Sequence, residues 1–310
     1  MMEARTERAR FAVAGARANV AAALGSQPRK DVRRNNIFAG LLFISVLIAL
    51  AGLLALVIDA AAEGGSALST KLITEPPSTL DTANAGFRPA LLGSLMMIAF
   101  VIAMIVPLGV GAAIYLEEYA DGTRWWNRVI ELNIQNLAAV PSIIYGILGL
   151  GLIVRGALDI GFVLLAGAIT LALLVLPIVI IAAREALRAV PPSIREGSLA
   201  LGATKWQTTR RQVLPAAIPG IATGVILAVS RALGETAPLL LVGATIFVTF
   251  NPEPLEPGYS ALPVQIFQYA TRPQEEFRTL AAAGIILMLV VLVAMNSTAI
   301  WLRNRYEQKW

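Results

Sequence analysis

Two opposite charges lie four residues apart in an apolar stretch: Arg231 and Glu235, in the run Ala-Val-Ser-Arg-Ala-Leu-Gly-Glu-Thr-Ala-Pro of residues 228–238. This spacing places both side chains on one face of a helix. Charges inside a membrane are costly, so such residues usually face the interior of a helix bundle or a water-filled path. The pair is therefore either a structural ion pair that locks helices together or part of a path for an anion.

An arginine is well suited to an anion path. Its planar guanidinium donates two parallel hydrogen bonds to an oxyanion, and it stays protonated. In this interpretation Arg231 binds the anion. Glu235 holds the guanidinium in place and keeps the anion from being bound too tightly to leave. An interrupted helix also turns backbone donors towards a substrate. The neighbouring hydroxyls and helix breakers that fit this chemistry are Ser230, Thr236, Gly234 and Pro238.

A second polar stretch, residues 184–215, separates two long apolar runs. The prolines at 191 and 192 forbid a continuous helix here. Ser193, followed three residues later by Glu196, predicts a capping box at the start of a new short helix.

The short helix should run to about Leu201, because Gly202 fits the left-handed position that ends a helix. Thr204 offers a second cap, and Pro215 starts the next apolar run. The apolar face in between comes from Trp206, Val213 and Leu214. The sequence therefore predicts a rigid elbow with a tryptophan at its bend.

This elbow is too polar to sit in lipid and too short to fold alone. One interpretation is that it docks onto another protein. The other is a plain hairpin at the membrane surface, whose Arg210 and Arg211 meet anionic lipid headgroups.

The composition is that of an integral membrane protein. Hydrophobic residues make up 57% and charged residues 15%, with a mean hydropathy of +0.70, whereas soluble chains carry about a quarter charged residues. The chain has no cysteine and no histidine, which removes disulfides, thiolate nucleophiles, imidazole chemistry and every common zinc site except a purely carboxylate one. We therefore expect no catalytic residue and no metal site. The basic pI near 9.8 comes from blocks beside apolar runs, which indicates topology rather than nucleic-acid binding.

Six apolar runs are long enough to cross a hydrocarbon core of roughly 30 Å as helices. They are residues 37–58, 90–115, 132–154, 160–183, 216–247 and 279–302. The third run fits a membrane span least well, since the polar residues Asn133, Gln135 and Asn136 lie at its start. The prediction is an all-α protein with a membrane domain over 37–302.

Lys and Arg gather on the cytoplasmic side of membrane proteins. The amino-terminal arm, 1–36, carries eight of them against three acids, and 184–213 carries six against two, so both are predicted to be cytoplasmic. Residues 59–89 and 246–278 each hold four acids and two bases, which suits outer loops. With six spans, both termini are cytoplasmic, including the tail 303–310.

Two further segments complete this topology. Residues 116–131 are placed inside although their acids outnumber their bases, because acidic residues count little in the rule. In this topology Trp125-Trp126 is predicted to anchor the chain at the cytoplasmic interface of the membrane. The arm lacks an apolar stretch long enough for a signal sequence, and we expect it to be surface-lying or disordered.

The spacing of Glu196, Gly202 and Leu214-Pro215 resembles the EAA loop of binding-protein-dependent ABC importer permeases. In that family the short helix sits in a cleft of the cytoplasmic ATPase subunit, between spans four and five of a six-helix, type I fold. The chain departs from the family pattern at Gly197, Ser198 and Gln212. By this resemblance the ATPase-coupling residues are Glu196, Gly197, Ser198, Gly202, Ala203, Trp206, Leu214 and Pro215.

Within that family the chain is similar to the permeases of bacterial phosphate importers. The similar runs are 231–239, 139–146, 107–109 and 114–119. The resemblance implies that Arg231 and Glu235 line a phosphate path, with Ser230 and Thr236 beside them, and that Pro141 and Ser142 belong to it. The bland interpretation of Pro141-Ser142 is a kink whose freed carbonyl the hydroxyl satisfies.

The partners also follow from the resemblance. No G-x-x-x-x-G-K-[ST] run occurs, so ATP and Mg would be bound by a separate ATPase dimer and the chain needs no cofactor of its own. The resemblance adds a sister permease of the same fold and an extracytoplasmic phosphate-binding protein, in the bacterial inner membrane, with alternating access as the mechanism.

Three alternatives remain open at this point. The path could serve another oxyanion, such as sulfate or molybdate. The chain could be an enzyme that transfers phosphate to lipid headgroups, for which Glu117, Glu118 and Asp121 are the compact carboxylate set. It could also be a scaffold or sensor without transport.

Overall fold

The chain is described from a computed structural model that covers residues 29–244 and 247–306. Within these residues the regular structure is helical, and β pairing is confined to two isolated bridges, Val163 with Pro257 and Ala244 with Tyr259. The helices are α1 (Arg29–Gly64), α2 (Lys71–Thr74), α3 (Arg88–Ile114), α4 (Trp125–Ala138), α5 (Ser142–Leu148), α6 (Leu164–Arg188), α7 (Pro192–Ala200), α8 (Lys205–Thr208), α9 (Leu214–Gly234), α10 (Ala237–Leu241), α11 (Leu262–Ala270) and α12 (Glu275–Tyr306). Three π-helical segments, Tyr115–Tyr119, Gly149–Val154 and Thr209–Val213, extend α3, extend α5 and join α8 to α9.

The chain divides into two compact units, Met1–Asp59 and Ala60–Trp310. The described part of the first unit belongs to α1. Residues 1–28 of the predicted arm lie outside the described residues, and 29–36 are the start of α1 rather than a separate segment. Of the predicted tail, residues 303–306 continue α12, and 307–310 lie outside the description.

Five helices of the described residues are long and apolar enough to cross a membrane. They cover Arg33–Ala67, Arg88–Tyr119, Leu164–Arg188, Lys205–Gly234 and Glu275–Arg305. A further candidate is the pair Trp125–Ala138 and Ser142–Val154, which is bent by 107°. The chain is therefore an all-α, multi-pass membrane protein with up to six spans.

Three of the predicted runs differ from the helices. Run 132–154 is not straight, because Pro141 lacks an N–H and disfavours the helical conformation at Val140. Run 160–183 starts before α6, since Gly161 has a φ of +79° and the chain is extended at Val163. Run 216–247 is interrupted, as α9 ends at Gly234.

Helix α6 lies between α3 and α9, and its contact with α9 is built on small residues. A Cβ on Gly220 would stand 2.7 Å from the Ala186 Cβ, and one on Gly224 would overlap Ala182. Such close approach between membrane helices typically uses small residues four apart. The G-x-x-x-G spacing is visible in the sequence, although it does not reveal which helix it meets.

The end of the bundle opposite residues 184–215 is closed by a second apolar cluster. It combines Phe87 before α3 with Tyr269 of α11 and Phe277 of α12. Ser94 Oγ accepts a hydrogen bond from the Leu262 N–H at 2.8 Å, which fixes the start of α11 against α3.

Candidate functional site

Arg231 and Glu235 flank a break between α9 and α10. Arg231 lies in the last turn of α9, and Glu235 follows the helix in an extended conformation with φ −76° and ψ 126°. The Arg231 Nε lies 3.3 Å from the Glu235 Oε1. The prediction that one helix carries both residues is therefore wrong, because the helix ends before Glu235, whereas the expected interruption of the span is present.

The break lies towards the end of the bundle that is opposite residues 184–215. Ala232 and Leu233 share a small cavity of ≈ 10 Å³ with Ser94 and Met97 near the start of α3. The pair thus occupies one end of the span rather than its centre.

Helix α5 packs directly on α10 at the break. A Cβ on Gly146 would stand 2.7 Å from the Pro238 Cα, and the Arg231 charge is close enough to Tyr145 to act on it electrostatically. Ser142 is one helical turn before Gly146 on the same face of α5. The structure therefore brings the start of α5 near the charged pair.

A tyrosine hydroxyl satisfies the backbone carbonyl that is freed at the bend before α5. The Tyr145 hydroxyl donates to the Leu137 carbonyl at 2.9 Å, so Ser142 is not the residue that caps the carbonyl freed at the bend. Sequence reasoning missed Tyr145, because its partner is eight residues away across the bend.

Ser230 points to a different helix. Its Oγ lies 2.7 Å from Asn296 Oδ1 on α12 and 2.8 Å from the Ile226 carbonyl. The single hydroxyl proton is used by one of these acceptors. The structure does not bring Ser230 to the charged pair, and it identifies Asn296, which is half-buried, as a partner that sequence reasoning missed.

The exposure of the pair is uneven. The Arg231 side chain is 45% exposed and that of Glu235 16%, with Thr236 half-buried beside them. A guanidinium that is half-exposed and tied to a carboxylate offers free N–H donors to an anion. The site fits reversible binding of an oxyanion.

The stretch 184–215 folds as a helical hairpin. Helix α7 begins at Pro192 with Pro191 in the cap position and no side-chain cap, so the predicted capping box of Ser193 and Glu196 is wrong. Proline is favoured in the first helical position, and it moves the start of the helix ahead of Ser193.

The end of α7 and the second cap follow the prediction. Gly202 has a φ of +83°. Thr204 and Gln207 form a capping box, with hydrogen bonds of 2.9 and 3.3 Å. The bend lies at 201–203, and Trp206 follows it in α8. From Lys205 the helix continues without interruption to Gly234.

The hairpin presents a mixed surface. Leu201 is 91% and Trp206 56% exposed, and Leu199 is exposed as well. The remaining predicted coupling residues are exposed or half-buried: Glu196, Gly197, Ser198, Gly202, Ala203, Leu214 and Pro215. A cleft of ≈ 460 Å³ runs between α7 and α8, lined by Gly197, Ser198, Leu201, Ala203, Gln207 and Arg211 among others. Exposed apolar side chains on a polar hairpin suit a contact with another protein or with the membrane surface.

The carboxylates after α3 do not form a catalytic set. Glu117 and Glu118 each accept from arginines, Arg188 at 3.0 Å and Arg195 at 2.8 Å. Asp121 accepts from Thr123, and this hydrogen bond lowers the pKa of the Asp121 carboxyl. Each of the three carboxylates is therefore tied to a neighbouring side chain and not grouped with the others around a shared site.

The sequence matches the family of binding-protein-dependent transport system inner membrane components over residues 105–308. The chain belongs to this family. It is 34% identical over 267 residues to the phosphate transport system permease protein PstA of Yersinia pestis, covering 86% of this chain and 89% of that one. The Haemophilus influenzae PstA is 36% identical, with 84% and 91% covered. PstA 1 of Mycobacterium tuberculosis is 39% identical, with 69% of each chain covered.

Solved structures share the fold. The MetNI methionine ABC transporter in inward-facing conformations aligns with a TM-score of 0.57 at 18% identity, over 71% of this chain and 94% of that chain. A bacterial alginate ABC transporter in complex with a periplasmic protein aligns with a TM-score of 0.61 at 14% identity, over 87% and 94%. The architecture is the type I ABC importer permease fold.

Proposed function

We propose that this chain is the permease subunit of an ATP-driven phosphate importer of the bacterial inner membrane. The observation that carries the proposal is the Arg231–Glu235 pair, which flanks a break in a membrane helix whose other end leads into an exposed hairpin. The names of the similar permeases support phosphate as the anion.

The Arg231 guanidinium is the group that meets phosphate in this proposal. Its planar fork gives two parallel hydrogen bonds to phosphate oxygens. Glu235, 3.3 Å away, pairs with the guanidinium again when phosphate leaves, so the anion is not trapped. Thr236 adds a neutral donor, and Pro141 and Ser142 border the path at the start of α5.

A sister permease closes the path. The exposed side of Arg231 would be costly if it faced lipid, because a charged side chain in a membrane usually faces the interior of a bundle or a water-filled cavity. A water-filled path between two permeases of the same fold removes this cost. An extracytoplasmic phosphate-binding protein delivers the anion to the outer loops.

The hairpin docks onto an ATPase dimer that binds ATP and Mg. Glu196, Leu201 and Trp206 lie on its exposed surface, and the excess of Lys and Arg there puts it in the cytoplasm together with both termini. ATP-driven closure of the ATPases moves the hairpin, and the helix that starts at Lys205 carries the motion to Arg231. The path then opens to one side and the other in turn.

The direct test is uptake of labelled phosphate into vesicles that contain this chain with its sister permease, the ATPase and the binding protein. We expect ATP-dependent uptake that excess unlabelled phosphate suppresses and excess sulfate or molybdate does not. Equal suppression by sulfate or molybdate would identify another oxyanion as the substrate. Absence of ATP-dependent uptake in the complete complex would overturn the proposal.

A further inference from the structure

Arg195 points inward from α7 and makes four hydrogen bonds. Its Nε and Nη2 donate to Glu118 Oε1 at 3.1 and 2.8 Å. Its Nη1 donates to the Val190 carbonyl at 2.7 Å, and Nη2 donates to the Leu187 carbonyl at 2.8 Å. Carbonyls at the end of a helix such as α6 attract cations. One side chain therefore joins α7 to the ends of both α3 and α6.

The contact between Arg195 and Glu118 is shielded from water. The Glu118 side chain is 7% exposed and that of Arg195 22%. Breaking a buried pair by removing one partner is strongly destabilising, because it leaves an uncompensated charge. The two residues therefore hold each other firmly.

Among the residues that the structure describes, helix α7 has few other attachments. None of its residues, Pro192–Ala200, is buried. Ile194 packs at the edge of an apolar cluster, and Ser198 Oγ lies 2.9 Å from Thr208 Oγ1. A helix without a buried apolar face depends on polar contacts for its position, and the strongest of those on α7 is made by Arg195.

The end of α3 receives further charged contacts from its neighbours. Glu117 pairs with Arg188 at 3.0 Å and with Arg184 at 3.5 Å, both on α6. Lys205 of α8 lies over the Tyr119 ring, 5.3 Å from its centroid. The π-helical end of α3 is thus tied to α6, α7 and α8 together.

We propose that the Arg195–Glu118 pair is the joint that transmits a displacement of α7 to α3. Helix α3 is continuous with Tyr115–Tyr119, and its far end holds Ser94, beside the break that follows Arg231. The joint therefore links the docking surface to the path by a route separate from α9. This inference rests on the proposed function, in which an ATPase docks on α7. Arg195 and Glu118 are positioning residues, since neither touches the substrate.

The test compares phosphate uptake per ATP hydrolysed in the reconstituted complex for Glu118→Gln, Arg195→Gln and Arg195→Lys. The matched control is Glu185→Gln, which removes a carboxylate of the same region that is 65% exposed. We expect the first two variants to bind the ATPase and hydrolyse ATP while phosphate moved per ATP falls about tenfold or more, as loss of a hydrogen bond to a charged group can produce. Arg195→Lys keeps the charge but not the fork, so its ratio should fall less. The control should match the unmodified chain.

An unchanged ratio of phosphate to ATP in Glu118→Gln would overturn the joint, whether or not total activity falls. Where the single variants do not assemble, the exchanged pair Glu118→Arg with Arg195→Glu decides: recovery of assembly and of the ratio supports the joint, and recovery of assembly alone overturns it. An unmodified complex that does not take up phosphate would instead overturn the proposed function. The two failures are therefore distinguishable.

Discussion

Gly146 of α5 lies against Pro238 of α10 so closely that a Cβ on the glycine would stand 2.7 Å from the Pro238 Cα. The two short helices therefore meet nearly backbone to backbone. Because Pro238 follows Glu235 by three residues, this contact sets the position of the break relative to the bend at Pro141.

Substitution of Gly146 by leucine should displace α10 and reduce uptake. Overpacking of a close contact typically costs about 1 to 3 kcal/mol. The matched control is Gly151→Leu, because nothing lies within 4 Å of a Cβ at Gly151. Thermal unfolding and uptake should both be measured, and equal behaviour of the two variants would show that the contact is unimportant.

Arg231→Gln should reduce phosphate uptake about tenfold or more, because it removes the charge and the fork that hold the anion. Arg231→Lys should retain part of the uptake, since an ammonium is a point charge without the fork. Arg305→Gln, at the end of α12 against Trp301, is the control. Normal uptake by Arg231→Gln would favour a scaffold or sensor without transport.

Ser230→Ala should leave the KM for phosphate unchanged and lower the stability of the protein. The hydroxyl contacts Asn296 at 2.7 Å, and such bonds between membrane helices contribute about 0.6 kcal/mol on average. A double-mutant cycle with Asn296→Ala measures this coupling. A raised KM in Ser230→Ala would return Ser230 to the substrate path.

Gly224→Leu should destabilise the contact between α6 and α9. A side chain there would overlap Ala182, whereas a Cβ at Gly111 of α3 has nothing within 4 Å. We expect a loss of about 1 to 3 kcal/mol in the first variant and little change in Gly111→Leu. Melting of the detergent-solubilised protein checks the difference.

Glu196→Lys should break coupling to the ATPase while membrane insertion remains intact. Glu196 is exposed on α7, and in the proposed function this surface docks onto the ATPase. Replacing its carboxylate by an ammonium reverses the electrostatic complementarity of that contact, which we expect to weaken docking about tenfold or more. Glu185→Lys, on α6 rather than α7, is the control. The measurements are co-purification of the ATPase and uptake of phosphate. Unchanged uptake would contradict the proposal that the hairpin docks onto the ATPase.

Local signals in the sequence predicted much of the helical framework. Long apolar runs marked the membrane helices, because a span must satisfy every backbone group within itself. The positive φ of Gly202 and the capping box of Thr204 were predictable because both depend on a few adjacent residues. The break after Gly234 was predictable in kind from Gly234 and Pro238.

Contacts between distant parts of the chain were not predictable in this way. Glu118 and Arg195 are 77 residues apart, and the sequence around either residue does not indicate which residue it pairs with. The direction of Ser230 depends on the placement of α12. The capping box at Ser193 failed for a local reason, since Pro192 already occupies the first position of the helix.

The helix runs without interruption from Lys205 to Gly234, so it fixes the direction in which side chains at one end point relative to those at the other end. Arg231 lies 26 residues after Lys205, about 39 Å along the axis at 1.5 Å per residue. One inserted or deleted residue in this rod would turn the guanidinium by about 100° relative to Trp206, away from Tyr145 and the start of α5. The number of residues between the hairpin and the break is therefore as much a part of the site as their identity. A change of length in this helix should impair uptake even where substitutions on its surface, away from Gly220, Gly224 and Ser230, are tolerated.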